Sequence, residues 1–232
     1  MKTSSWELGT RSQAILELNA TIYSVFSKTS LPPPASVQQN LVNPLSPFFA
    51  IARSTVHGRA QSNNYTVGPQ PLIQDGSAAD PASIGMSVLL ANWTGQDGGK
   101  INYGGAAKDQ LDFLLQKVPR TSDGAISHHV STLQLWCVVM TLMITIFAQP
   151  PDHRSDFVYM VPPFLAYYGV IAQNRTLLEK SYTQIKLYRT YLRDPTVNMW
   201  KHVLLGTSSN DDGYWSTGED VADKKKFKLT HP

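Results

Sequence analysis

Apolar residues recur every three or four positions through most of this 232-residue chain, and no run alternates polar and apolar long enough to read as a strand. Each helix of that pattern has one face to bury, so several of them must pack on one another. Start and stop signals divide the pattern into six segments. The first runs from about Ser5 to Leu18, ahead of a Ser/Pro-rich stretch that includes Pro32, Pro33 and Pro34. The second opens at Ser46-Pro47, a cap followed by proline at the first helical position, with a natural stop near Gly58. The third opens with the same signal at Asp80-Pro81 and carries Ile84, Val88 and Ala91; the fourth follows Gly104-Gly105 with an apolar face of Ala107, Leu111, Leu114, Leu115 and Val118. The fifth is Ser155 to Val170. The sixth starts at a capping box, Thr176 to Glu179, sets Leu178, Tyr182, Ile185 and Leu192 on one face, and stops before Pro195. The fold class predicted is all-α, built from consecutive helical hairpins.

Composition removes several functions. The formal charge of +3 owes much to Lys224, Lys225, Lys226 and Lys228, and no basic stripe is interleaved with aromatics, so nucleic acid is not an expected partner. Cys137 is the single cysteine, which excludes an intrachain disulfide and a cysteine-based zinc site. His128 and His129 lack acidic or cysteine neighbours and make a poor metal site, so neither metal nor cofactor is expected. The apolar run from Cys137 to Ala148 ends at Pro150-Pro151, short of the roughly 20 residues that span a membrane. Four glycosylation acceptor patterns, at Asn19, Asn64, Asn92 and Asn174, point to secretion, whereas MKTSSWELGTRSQ has no apolar core of a signal peptide. The protein is expected either in the cytoplasm with idle acceptors or secreted from a precursor with a leader.

The fifth segment, SDFVYMVPPFLAYYGV, is apolar and aromatic except for its opening carboxylate. Read as a proline-kinked helix, it aligns Asp156, Met160, Pro163 and Tyr167 on one stripe. A carboxylate facing a neighbour there needs a partner or a function, because burying its charge unpaired costs several kcal/mol or raises its pKa. The alternative is a helix cap at the positive end of the dipole.

Together with DGAISHH (Asp123 to His129) and NMWKHVLLGTSSNDDGYWSTG (Asn198 to Gly218), that segment resembles the six-hairpin glycosidases, and among them the family 105 glycoside hydrolases, the unsaturated rhamnogalacturonyl hydrolases. The most specific element is the Asp-x-x-x-Met-x-x-Pro-Phe-Leu pattern from Asp156 to Leu165. The resemblance implies an (α/α)6 barrel, of which residues 1–218 hold the N-terminal half, about three hairpins. It implies an oligosaccharide substrate left by pectin lyases, whose terminal uronic acid bears a C4=C5 double bond. An aspartate protonates the enol ether carbon and water adds at C5, one carboxylate serving as acid and then base. The matching residue is Asp156. Among substrate-binding positions, His202 matches a histidine lining the sugar site, with a surface histidine as its alternative. Asp80 matches a second active-site carboxylate and is also an N-cap candidate. His128 resembles a substrate-side loop residue, and Trp215 is a sugar-stacking or a core tryptophan. Two rival readings are an unsaturated glucuronyl hydrolase of the related family 88 and a non-catalytic helical sugar-binding or interaction protein.

Two blocks depart from the family pattern. Cys137 to Arg154 stands between Leu133–Trp136 and Ser155, where the family runs on directly; its ends can be written in codons as a splice donor and acceptor that rejoin Trp136 to Ser155 in frame. After Gly218 the chain continues as an atypical basic tail, 219–232, with a possible donor at Gly218-Glu219 and branch point at Leu229-Thr230. Both read as retained intron sequence. The expectation is a polypeptide of enzymatic lineage that, as written, folds weakly and is inactive.

Overall fold

The computed structural model describes residues 4–24, 45–62, 67–131, 133, 135–136, 157–195, 199–200 and 203–204. Six α-helices lie among them: α1 (Ser5–Asn19), α2 (Ser46–Ser62), α3 (Ala79–Trp93), α4 (Tyr103–Gln116), α5 (Phe157–Ile171) and α6 (Arg175–Leu192). Two short antiparallel ladders join β1 (Leu135–Trp136) to β4 (Val203–Leu204) and β2 (Arg193–Asp194) to β3 (Met199–Trp200). The all-α expectation holds, with corrections at the helix ends. α2 runs past Gly58 to Ser62. α3 starts at Ala79 with Ala78 in the cap position, so Asp80 lies inside the first turn and is not its N-cap. α6 is capped by Asn174, whose Oδ1 accepts from the Leu177 amide at 3.3 Å, and not by the Thr176–Glu179 box.

Small residues set the helix arrangement. A Cβ on Gly9 would stand 1.7 Å from Ser83 Oγ, and one on Gly85 would stand 2.2 Å from a ring carbon of Phe164. α1 thus lies directly on α3, and α3 on α5. Gly9 meets Ser83 near the helix starts, while the Tyr23 ring packs edge-on against Trp93 at 5.8 Å near their ends. The Tyr167 hydroxyl donates to the Tyr23 carbonyl, bringing the end of α5 to the same place. α1, α3 and α5 therefore run parallel with their starts at one end. α3, at the middle, also packs against α2 and α4. Every residue from Ala79 to Ala91 is buried, which suits a helix that is small or apolar on all sides.

α6 runs antiparallel to α5, with Ser181 Oγ donating to the Pro162 carbonyl at 2.7 Å and the Tyr188 ring stacked on Phe157 at 4.0 Å. Its buried face is Leu177, Ser181, Gln184, Tyr188 and Leu192. The apolar face expected from sequence is therefore misplaced: Leu178, Tyr182 and Ile185 are exposed, with Lys186 Nζ over the Tyr182 ring. Neither Ser181 nor Gln184 marks a core face by hydropathy, yet both are buried because they bond the backbone of neighbouring segments.

The glycine contacts predict a contrast. Gly9→Ala and Gly85→Ala each overpack a close helix crossing and should cost about 1–3 kcal/mol in urea unfolding. Gly58→Ala, on an exposed helical position with no atom near the added methyl, should instead gain about 0.5–1 kcal/mol. At the turn after α3, hydrogen bonds from Arg53 and from Tyr103, at 2.9 and 2.5 Å, hold the Asp97 carboxyl below its usual range. A depressed folded pKa adds stability above the ordinary carboxylate range and loses it as pH falls through the folded value. Asp97→Asn should thus lower the thermal midpoint at neutral pH, by an amount worth about 0.2–1 kcal/mol for so exposed a pair, and match the parent in acid.

Candidate active site

Two loops meet at the end where α1, α3 and α5 start. One leads into α3, and the other, residues 117–131, leaves α4. Backbone bonds stitch them together: Ala78 N donates to the His128 carbonyl at 2.7 Å, Val130 N to Gly76 at 3.2 Å, and Ser77 bridges His129. This brings the two sequence-predicted residues Asp80 and His128 side by side, with Nε2 of the imidazole 3.2 Å from Oδ1 of the carboxylate. Both are buried, at 7% and 2% exposure, so the pair faces little competition from water. His129 is half-buried, its ring edge-on to that of His128 at 5.7 Å.

Ser77, one residue before the cap position, satisfies an amide in the first turn of α3. Its Oγ accepts the Asp80 amide at 3.0 Å, lies 3.2 Å from His128 Nε2, and can donate to the His128 carbonyl at 3.4 Å. Nε2 is in hydrogen-bonding geometry with the Ser77 hydroxyl, and its approach to Asp80 Oδ1 is a close polar contact rather than an aligned hydrogen bond. Asp75 extends the chain of polar groups. Its carboxylate accepts from the Ser77 amide at 3.1 Å and from the Ser5 hydroxyl at the start of α1. Asp75 is exposed as a residue, but its carboxyl group turns in towards these partners; loss of water there pushes its pKa up, and nearby Asp80 adds to this, while the two hydrogen bonds and His128 oppose it.

α6 grips the other side of the 117–131 loop. Gln184 Oε1 accepts from Ile126 N and its Nε2 donates to the Gly124 carbonyl, both at 2.9 Å, while the Tyr188 hydroxyl donates to the Ile126 carbonyl at 2.6 Å. The Tyr188 ring is stacked on Phe157, the first residue of α5. One loop therefore carries His128 towards the start of α3 and is held against the start of α5. Beside it lies a shallow cleft whose lining includes Gln70, Gln74, Asp75, Phe113 and Val130, a mixture of amides, carboxylate and aromatic surface.

Asp156, His202 and Trp215 lie outside the described residues, as do the Cys137–Arg154 block and the 219–232 tail. Among the described residues, no group of three or more His, Cys, Asp or Glu could hold a metal ion. Sequence reasoning missed Ser77, Asp75, Gln184 and Tyr188. The available signal was Gln184 itself, a polar residue at helical spacing between Leu177 and Tyr188 on a face that is otherwise fit for burial.

A family model described as Glycosyl Hydrolase Family 88 matches residues 61–224, a span that contains α3 to α6 and the Ser77–Asp80–His128 cluster. No curated protein matches the chain.

The cluster predicts energetic coupling. Ser77→Ala should destabilise by about 1 kcal/mol through loss of the cap at the start of α3. In a double-mutant cycle of Asp80→Asn with His128→Gln, the two unfolding free energies should be non-additive by about 1–3 kcal/mol. Additivity within error would show that the contact has no energetic weight.

Proposed function

The chain belongs to glycosyl hydrolase family 88, and from that membership we propose that it acts on unsaturated uronyl oligosaccharides by hydrating the C4=C5 double bond. A proton goes to C4, the cation that results is shared between C5 and the ring oxygen, and water adds its oxygen to C5. The hemiketal so formed opens and releases the neighbouring sugar. Asp156 is the proposed acid and base: as the carboxylic acid it protonates C4, and as the carboxylate it takes a proton from the attacking water. Staying protonated near neutral pH requires apolar surroundings that raise its pKa, and the buried Phe157 and Met160 are its near neighbours in sequence.

The observation that carries this reading is the buried Asp80–His128 pair at the end where α1, α3 and α5 start. α5 begins at Phe157, next in sequence to Asp156. A second carboxylate held there by an imidazole supplies a fixed hydrogen-bonding group for sugar hydroxyls, preorganised because Ser77 and the loop backbone leave it little freedom. His202 and Trp215 are proposed to line the same sugar site, the tryptophan by stacking on a ring face. For the uronide, the family match supports an unsaturated glucuronyl unit, whereas the Asp156–Leu165 pattern favours the pectin-derived one.

The block Cys137–Arg154 directly precedes Ser155 and Asp156, and a displacement of about 1 Å at a reacting group can cost about a hundredfold in rate. We therefore expect the chain as written to be inactive, and a chain joining Trp136 to Ser155 to consume the ultraviolet absorbance of unsaturated disaccharides. Assaying unsaturated glucuronyl and galacturonyl-rhamnose disaccharides side by side identifies the class turned over. In the active chain Asp156→Asn should abolish turnover and Asp80→Asn reduce it by at least about a hundredfold, with helical content unchanged. A folded chain that binds either sugar without consuming it would instead establish a binding module.

A further inference from the structure

Three of the four Asn-x-Thr patterns fall on described residues, and the fold gathers them. Asn19 is the last residue of α1, Asn92 is the penultimate residue of α3, and Asn174 caps α6 just after α5 ends at Ile171. Because α1, α3 and α5 run parallel, these positions share the end at which those helices stop. Ser77, Asp80 and His128 occupy the opposite end. α1 and α3 are each 15 residues long, which separates the two ends by about 20 Å.

All three asparagines are exposed. The geometry at Asn174 is compatible with modification and capping at once: the cap uses Oδ1, accepting from Leu177 N at 3.3 Å, whereas a glycan is carried on Nδ2. At the second pattern the Thr94 hydroxyl donates to the Leu90 carbonyl at 2.7 Å, so a transferase that needs this hydroxyl must act before α3 closes. That order fits modification of a chain still entering a secretory compartment.

We propose that this end of the molecule is its glycosylated face, with N-linked oligosaccharides on Asn19, Asn92 and Asn174, and that the helix-start end is left clear for substrate. In the transfer, each Nδ2 forms a bond to C1 of the donor sugar, that carbon loses its bond to the pyrophosphate of a polyprenyl-pyrophosphoryl oligosaccharide, and the amide proton leaves to the transferase. Glycans at these positions shield only the far end. They are the bulkiest groups the surface would carry, and on α3 Asn92 stands about 18 Å of helix rise beyond Asp80.

The test is to secrete the full chain from a eukaryotic cell and release its glycans with peptide N-glycosidase in heavy-oxygen water, which marks every occupied asparagine as labelled aspartate. Label is expected at positions 19, 92 and 174. Thr21→Ala, Thr94→Ala and Thr176→Ala should each remove one glycan's mass. Thr176→Ala keeps the Asn174 cap, so loss of the glycan is read separately from loss of the helix start. After enzymatic deglycosylation, Thr176→Ala and the parent should melt at the same temperature. Secretion of folded protein without label at these three positions overturns the proposal, as does label at Asn64 alone or retention of an unglycosylated chain in the cell. Every readout is a mass or a melting temperature, so the result stands whether or not the chain hydrolyses a sugar.

Discussion

The close approach of α1 and α5 to α3 is the constraint on which the rest of the structure depends. Gly9 against Ser83 and Gly85 against Phe164 leave no room for a methyl group at either crossing. Helices that near to one another exclude water along their length, and α3 is buried from Ala79 to Ala91 as a result. The same contacts fix which ends coincide. Once the three helices lie parallel, the loops entering α3 and leaving α4 gather at the start of α5.

At the gathered end, the 117–131 loop is held from two directions by different chemistry. Towards α3 the bonds are mainly backbone to backbone, with Ser77 completing them. Towards α6 they are side chain to backbone, from Gln184 and Tyr188. A loop pinned on both sides presents His128 to Asp80 at a fixed distance. The polar chain from Ser5 through Asp75 to Ser77 also ties the start of α1 to the same point, so that three hairpins contribute to one site.

Much of this was legible in the sequence. Six helices follow from apolar spacing and from punctuation by Pro and Gly, and each is present within a few residues of its expected bounds. Asp80 and His128 were singled out by the family resemblance, and they lie 3.2 Å apart. Less legible was which atoms do what. Asp80-Pro81 has the residue types of a cap, but the helix starts one residue earlier, at Ala79, where the Ser77 hydroxyl accepts the Asp80 amide, and the Asp80 carboxylate lies beside His128 instead. The box at Thr176 lost in the same way to Asn174, whose amide oxygen reaches Leu177.

By itself, then, the sequence determined the six helices found among the described residues, their order and the families it resembles, because periodicity and turn chemistry are local properties. The tertiary structure alone decided which face of α6 is buried, that the Ser77 hydroxyl accepts an amide in the first turn of α3, and that Asp80 and His128 are buried side by side. Those outcomes depend on partners up to sixty residues away in the chain, such as Gln184 with Ile126 and Ser77 with His128. A buried polar side chain is stable only where such a partner arrives, and its own sequence neighbourhood does not specify that.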